Sequence, residues 1–265
     1  MNISLNNFNA IVCGSTQGIG KACALELASL GAEVILVARD EKKLQAVVNE
    51  LPSSAGQQHR YIVADFSSPE TLKSAVHQFL RSYNKPVHIL VNNTGGPAAG
   101  KISEAAEAQF LAAFDAHLIG NHIMAMAVIP GMKSAGYGRI INIISTSVKA
   151  PLPNLGVSNT IRAAVANWSK TMANELGEFN ITVNNVLPGA TKTERLTGII
   201  SNNAAKNNSS EDVIAQKMIA EIPMKRFGDI TELNGAVQFL CSDAASFITG
   251  IVLPIDGGFS SFSGV

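Results

Sequence analysis

Seven short runs of Val, Ile, Leu and Ala recur along the chain, at 8–13, 33–37, 61–64, 88–91, 139–144, 181–186 and 251–254. Each is nearly continuous in apolar residues rather than alternating, the pattern of a strand covered on both faces. Between them lie stretches with apolar residues at three- and four-residue steps, at 21–30, 105–132, 159–177 and 211–220, and a further helix is expected to begin near Pro69. Strands alternating with amphipathic helices predict right-handed βαβ units. The expected fold is α/β, a doubly wound parallel sheet of about seven strands with helices on both faces. Ligands of such sheets bind beyond the strand C-termini. The segments at Gly14, Asp65, Asn92, Ser145 and Pro188 all follow strand ends, so they are expected to converge on one cleft.

The 265 residues suit one domain, 1–265, since no Pro/Ser-rich linker or repeat divides them. Twenty basic residues balance twenty acidic ones and are scattered, which speaks against nucleic acid and anionic membranes as partners. The start lacks the basic and apolar regions of a signal peptide, and the longest uninterrupted apolar run, near 123–129, is short for a membrane span. A cytoplasmic location is expected. Cys13, Cys23 and Cys241 are read as reduced, buried hydrophobes, and with no His or second Cys at metal spacing no metal site is expected. The polar stretch at 201–210 and the helix after it are read as a mobile substrate lid at 190–223, the alternative being a surface insertion.

The first strand runs directly into Gly14, Ser15, Thr16, Gln17, Gly18, Ile19 and Gly20, and then into a helix. Strand, glycine loop and helix make a pyrophosphate site, because glycines let the backbone approach the anion and the helix N-terminus meets its charge. A Walker loop is excluded, since Ala22 follows Gly20-Lys21 where Ser or Thr is needed. At the end of the second strand an acidic residue would accept from the 2′-hydroxyl of NAD. Ala38 leaves that position empty, and the adjoining Arg39 is suited to grip a 2′-phosphate, so NADP(H) is expected over NAD(H) unless Arg39 is merely solvated.

In order and spacing, the loop at Gly14, the Asn92-Asn93-Thr94-Gly95-Gly96 segment, the strand ending at Ser145, Pro188-Gly189 and Asp256-Gly257-Gly258 resemble the short-chain dehydrogenase/reductase family. The resemblance runs essentially end to end, and the tail from Pro223 to Phe259 is most similar to the 3-oxoacyl-carrier-protein reductase branch. It implies a Rossmann-type fold and a dimer or tetramer. It also implies cofactor contacts from Asp65 and Phe66, from Asn92, Thr94 and Gly95, and from Pro188, Gly189, Thr191 and Thr193, the two threonines orienting the nicotinamide amide. For Asp65 the alternative is a helix cap, with Ser67 and Ser68 better placed for that task.

In the family a serine polarises the carbonyl, a tyrosine thirteen residues on donates the proton, and a lysine four beyond lowers the tyrosine pKa and holds the ribose. An upstream asparagine keeps a relay water. Only Ser145 fits, because Ser158, Arg162 and His117 stand at the other three positions. The three tyrosines, Tyr61, Tyr83 and Tyr137, are placed by the pattern away from the cleft. Serine is a much weaker acid than tyrosine, and arginine stays charged, though it can still clamp ribose hydroxyls. His117 has an unperturbed pKa near neutrality, which makes it a candidate acid or relay; the alternative is a polar helix residue beneath the cleft. Lys149 is read as a solvated loop lysine.

The resemblance thus implies an NADP(H)-dependent oxidoreductase for a small-molecule carbonyl or secondary alcohol, with a substituted catalytic set. A redox-silent nucleotide-binding protein is the second reading. Dehalogenase-type chemistry is the third, weakened because such relatives keep the tyrosine and lose the glycine loop.

Overall fold

The apolar runs become seven strands: β1 (Asn9–Cys13), β2 (Glu33–Ala38), β3 (Arg60–Val63), β4 (Ile89–Asn92), β5 (Gly138–Ile143), β6 (Ile181–Pro188) and β7 (Val252–Ile255). All bounds fall within two residues of the sequence expectation. The structure is a computed structural model and describes residues 3–261; the remaining six residues of the expected 1–265 domain lie outside it. The strands form one parallel sheet in the order β3-β2-β1-β4-β5-β6-β7. The chain reverses direction of travel between β1 and β4, and the loops after those two strands border the resulting crevice.

The uninterrupted apolar character of the strands has a direct cause in the two covered faces. Ala10 and Val12 of β1 pack with Val34 and Leu36 of β2 against α1 (Gly18–Ser29), α2 (Glu41–Glu50) and α9 (Ile230–Cys241). Ile11 and Cys13 pack with Ile35 and Val37 on the opposite face, against α3 (Pro69–Tyr83), α5 (Gly120–Ala135) and α6 (Gly156–Leu176). Every position of β1, β4 and β5 is therefore buried, and a fully buried Val, Ile or Leu contributes about 1.5–3 kcal/mol.

Three expectations change. The helix expected over 105–132 is interrupted: α4 (Glu107–Phe114) passes into a π-turn at Asp115–Ile119 before α5 begins. Gly120 follows the turn, and a Cβ there would lie 2.6 Å from the Phe66 ring, so the ring's close approach to the helix requires glycine. This α4-to-α5 run, Glu107–Ala135, is long and apolar enough by length and composition to cross a membrane, contrary to the reading from its shorter apolar stretch. Its Met124, Ala125, Val128, Ile129 and Met132 are nevertheless buried in the core. Finally, most of the polar stretch at 201–210 is helical, lying in α7 (Glu194–Lys206) with α8 (Glu211–Glu221) next along the chain. The cause is good end chemistry: Thr193 caps α7 and Ser210 caps α8, each side chain accepting a backbone N–H.

All three cysteines are free and buried. Burial raises each thiol pKa, that of Cys23 to about 12. Among the described residues no group of His, Cys, Asp or Glu could hold a metal ion.

Candidate active site

The loop after β1 is wound back upon the sheet. Gly14 and Gly18 take φ of +58° and +55°, in the left-handed region. A Cβ on Gly14 would sit 2.5 Å from the Asn93 carbonyl oxygen, and one on Gly20 would collide with the Gly14 carbonyl. The Asn93 amide holds the turn, its Nδ2 donating to the Cys13 and Gly14 carbonyls at 3.3 Å each. Ser15 is buried, with its Oγ donating to Val37 O at 3.5 Å, while Thr16 and Ile19 are half-buried and Gln17 is exposed. Gln17, at the N-cap of α1, makes no side-chain cap. The first-turn N–H groups are thus left for an anion. These residues fit the pyrophosphate of a dinucleotide.

At the end of β2, Arg39 is exposed and has no ion-pair partner within 4.0 Å among the described residues. Asp65 Oδ1 accepts the Ser67 backbone N–H at 2.9 Å. That bond above all, then the Ser67 side chain and the Arg39 charge, holds its carboxyl below the usual range, so it is an ionised acceptor. The expected division of labour is reversed here, because Ser68 occupies the N-cap of α3 without a side-chain bond while Asp65 ties the turn. The Phe66 ring is buried in the core against Gly120, which leaves its backbone as the part that can face the cleft.

The catalytic end is assembled from β4, β5, the π-turn and α6. Ser145 Oγ accepts the Ser147 N–H at 3.1 Å, so its own proton remains to be donated. Ser158 and Arg162 are one helical turn apart on α6 and share a face. Ser158 is buried without a hydrogen-bond partner among the described residues. Arg162 is also buried, donating from Nη1 to Ile143 O at 3.0 Å and from Nη2 to Thr94 O at 3.5 Å. Burial, then the Arg195 charge, lowers its pKa to about 10, which still leaves it a cation at neutral pH.

His117 lies within the π-turn, 2% exposed, with Nδ1 2.5 Å from Thr94 Oγ1. Burial first, then the charges of Arg162 and Arg195, push its pKa down to about 3. An acid titrating near neutrality, which the sequence offered, is therefore replaced by a neutral imidazole. The same shift has a stability consequence. Below about pH 6.5 the unfolded chain binds a proton at this position that the folded chain refuses until about pH 3, so stability falls as pH falls through that window. The contribution is expected to be about 2–3 kcal/mol between pH 7 and pH 4.5. Urea unfolding at both pH values should show the loss shrinking by that amount in His117→Asn. His88, which burial shifts the same way, adds to the slope.

The other expected residues are placed as follows. Asn92 is drawn into the sheet: its Nδ2 donates to Asn142 Oδ1 at 2.9 Å, Asn142 donates to Ser169 Oγ at 2.8 Å, and Ser169 lies 2.8 Å from Asn185 Oδ1. Its neighbour Asn93 instead borders the glycine loop. Gly95 has open space where a side chain would be. Pro188 ends β6, and a Cβ on Gly189 would lie 2.6 Å from Asp256 Cα, which binds this turn to the Asp256-Gly257-Gly258 segment. Thr191 Oγ1 donates to Gly189 O at 3.2 Å, and Thr193 Oγ1 donates to Thr191 O at 3.3 Å while capping α7. Lys149 is exposed as expected. The tyrosine hydroxyls bond elsewhere, Tyr61 to Glu41, Tyr83 to Glu33 and Tyr137 to Cys241 O.

Comparison with known proteins extends the pattern over the whole chain. The family model for Enoyl-(Acyl carrier protein) reductase matches residues 14–260. L-xylulose reductase of Caenorhabditis elegans is 35% identical, the match covering 98% of each chain. The chain belongs to the short-chain dehydrogenase/reductase family. As a member of it, the protein is an oxidoreductase of the alcohol–carbonyl class. The 3-oxoacyl-[acyl-carrier-protein] reductase of Aquifex aeolicus is 31% identical, with 97% of this chain and 99% of the relative covered. Among solved structures, L-sorbose reductase from Gluconobacter frateurii, complexed with NADPH and L-sorbose, superposes with a TM-score of 0.91 at 30% identity, over 98% of this chain and 99% of that one.

Two site residues escaped the sequence reading. Asn93 stood in a quoted motif, but the register that sends one Asn of the pair inward and the other to the loop is a tertiary fact. Arg195 carries no local signal, and its guanidinium reaches Gly96 across the cleft.

Proposed function

We propose that the protein is an NADPH-dependent reductase of a small-molecule carbonyl, working without the family's phenolic acid. The observation that carries this reading is the position of Arg162, a buried cation fastened to the carbonyls of Ile143, at the end of the strand that leads to Ser145, and of Thr94, the partner of His117. Bound NADPH supplies a hydride to the carbonyl carbon. Ser145 donates a hydrogen bond to the carbonyl oxygen, and Ser158 offers a second hydroxyl on the same side. Arg162 holds the ribose and stabilises the negative charge that develops on that oxygen, which a preorganised cation does at little reorganisation cost. The Thr94 hydroxyl and the neutral His117 ring form a pair able to pass a proton inward. Gly14 to Gly20 would hold the pyrophosphate and Asp65 the adenine, and Thr191 and Thr193 would orient the amide of the nicotinamide. The segment at 190–223, with its two helices, closes over the substrate. Purified protein should oxidise NADPH in the presence of a panel of ketones and release the alcohol.

The absence of a proton donor that titrates near neutrality favours one other reading, a redox-silent NADPH-binding protein. Tight NADPH binding with no alcohol formed across the panel would leave that reading standing.

Preference for NADPH over NADH rests on exposed, unpaired Arg39 next to Ala38. Arg39→Ala is expected to weaken NADPH binding by about 1.5–3 kcal/mol and leave NADH nearly untouched. Fluorescence titration of both cofactors checks it, and equal affinities in the unmodified protein would end the assignment.

We also propose a homodimer or homotetramer in the cytoplasm, the compartment suited to three unpaired thiols. Met124 and Met172 are buried inside the subunit, but Met126 is exposed, as are Leu111 and Phe114 on the same helical run, and these offer an interface. Light scattering at micromolar concentration should give two or four chains, and Leu111→Glu with Phe114→Glu should lower that number.

A further inference from the structure

The two arginines nearest the substrate side of the cleft have no anion to face. Arg195, in the first turn of α7, lays its guanidinium against Gly96, where a Cβ would come within 2.5 Å of Nη2 and 2.7 Å of Nη1. A side chain at position 96 would evict it, so the bare backbone there provides its seat. Among the described residues it makes no ion pair within 4.0 Å. Arg162 approaches from α6 and spends its donors on two carbonyl oxygens, neither of them a carboxylate. Beyond the effect of burial, the Arg195 charge lowers the pKa of Arg162, and the two arginine charges together lower that of His117.

We propose that Arg195, with the charge of the buried Arg162 behind it, is a receptor for an anionic group of the substrate, a carboxylate or a phosphate carried on the same molecule as the reacting carbonyl. This rests on the reading of the cleft as a carbonyl-reduction site. The phosphates of the cofactor already have their own partners in that reading, the glycine loop with the α1 N-terminus for the pyrophosphate and Arg39 for the 2′-phosphate. Arg195 stands elsewhere, beyond the Pro188-Gly189 turn on the helix expected to cover the substrate. Two like charges repel one another, and an anion bound at Arg195 relieves that repulsion while accepting charge-assisted hydrogen bonds from its guanidinium. The substrate class is therefore oxo acids or phosphorylated ketoses, and a neutral ketone would leave Arg195 unmatched.

Sorbitol and two anions that each differ from it at one end, gluconate and sorbitol 6-phosphate, provide the test, each titrated calorimetrically into the NADPH complex. Gluconate or sorbitol 6-phosphate should bind about tenfold or more tightly than sorbitol, and whichever does so identifies the anion. Arg195→Gln should erase the difference and Arg195→Lys should keep part of it, with the NADPH dissociation constant changing less than about threefold in both. Equal binding of all three polyols, or no binding of either anion, would overturn the proposal. So would a loss of NADPH affinity in Arg195→Gln as large as its loss of anion affinity, which would give Arg195 to the cofactor. If the unmodified chain fails to bind NADPH, the reductase reading falls by itself, and the same titrations on the cofactor-free chain still decide whether Arg195 receives an anion.

Discussion

Ser158→Tyr combined with Arg162→Lys is expected to raise the rate of ketone reduction by about 10²- to 10⁴-fold, the range a positioned general acid contributes. The two positions share one face of α6, so a phenol at 158 and an ammonium at 162 would stand one turn apart, where the ammonium lowers the pKa of the phenol. Ser158 has no hydrogen-bond partner to lose among the described residues. Arg162 has two, at Ile143 and Thr94, and a lysine can keep only part of that fork. Ser158→Tyr alone should therefore gain less than the pair, and Arg162→Lys alone should lose activity. Stopped-flow loss of NADPH absorbance with an activated ketone measures all four proteins. A double variant no faster than the parent would show that the site has been rewired around a different proton path.

Gly20→Ala should cost the cofactor about 10- to 100-fold in affinity. Its added methyl would collide with the Gly14 carbonyl and approach Asn93 Nδ2 at 2.7 Å, and backbone cannot rotate away as a side-chain end can. Overpacking of this kind costs about 1–3 kcal/mol. The strain falls on the turn that Asn93 braces, so melting temperature and NADPH affinity should drop together. Gly18→Ala is the useful contrast: φ there is +55° but nothing lies within 4 Å of the new atom, so its cost is conformational alone.

The sheet was legible because burying both faces forces continuous apolar strands, and no other arrangement of these runs fits so many βαβ repeats. The glycine loop was legible for a similar reason, since tight turns and close backbone approach admit one residue type. The break at Asp115–Ile119 was not. A π-turn keeps helical spacing on either side, and the pattern of 105–132 reads as one helix until Phe66 is found against Gly120. Nor could the sequence weigh the surroundings of His117. Its burial and two arginines from distant segments convert a residue that titrates near neutrality in water into one that stays neutral. Asn92 and Asn93 were indistinguishable as letters, yet one is part of the sheet and the other of the loop. At 201–210 the polar composition obscured the end of one helix and the start of the next, each fixed by its own N-cap, Thr193 for α7 and Ser210 for α8.

The burial of Cys13, Cys23 and Cys241 makes the thiols natural clocks for the opening of this molecule. A maleimide or disulfide reagent meets no accessible sulfur on the folded chain, and each thiol ionises poorly where it lies. Cys13 closes the strand that enters the glycine loop, whereas Cys23 and Cys241 sit behind the opposite face of the sheet. Labelling followed residue by residue would then separate local fraying at the nucleotide loop from concerted disassembly of the core.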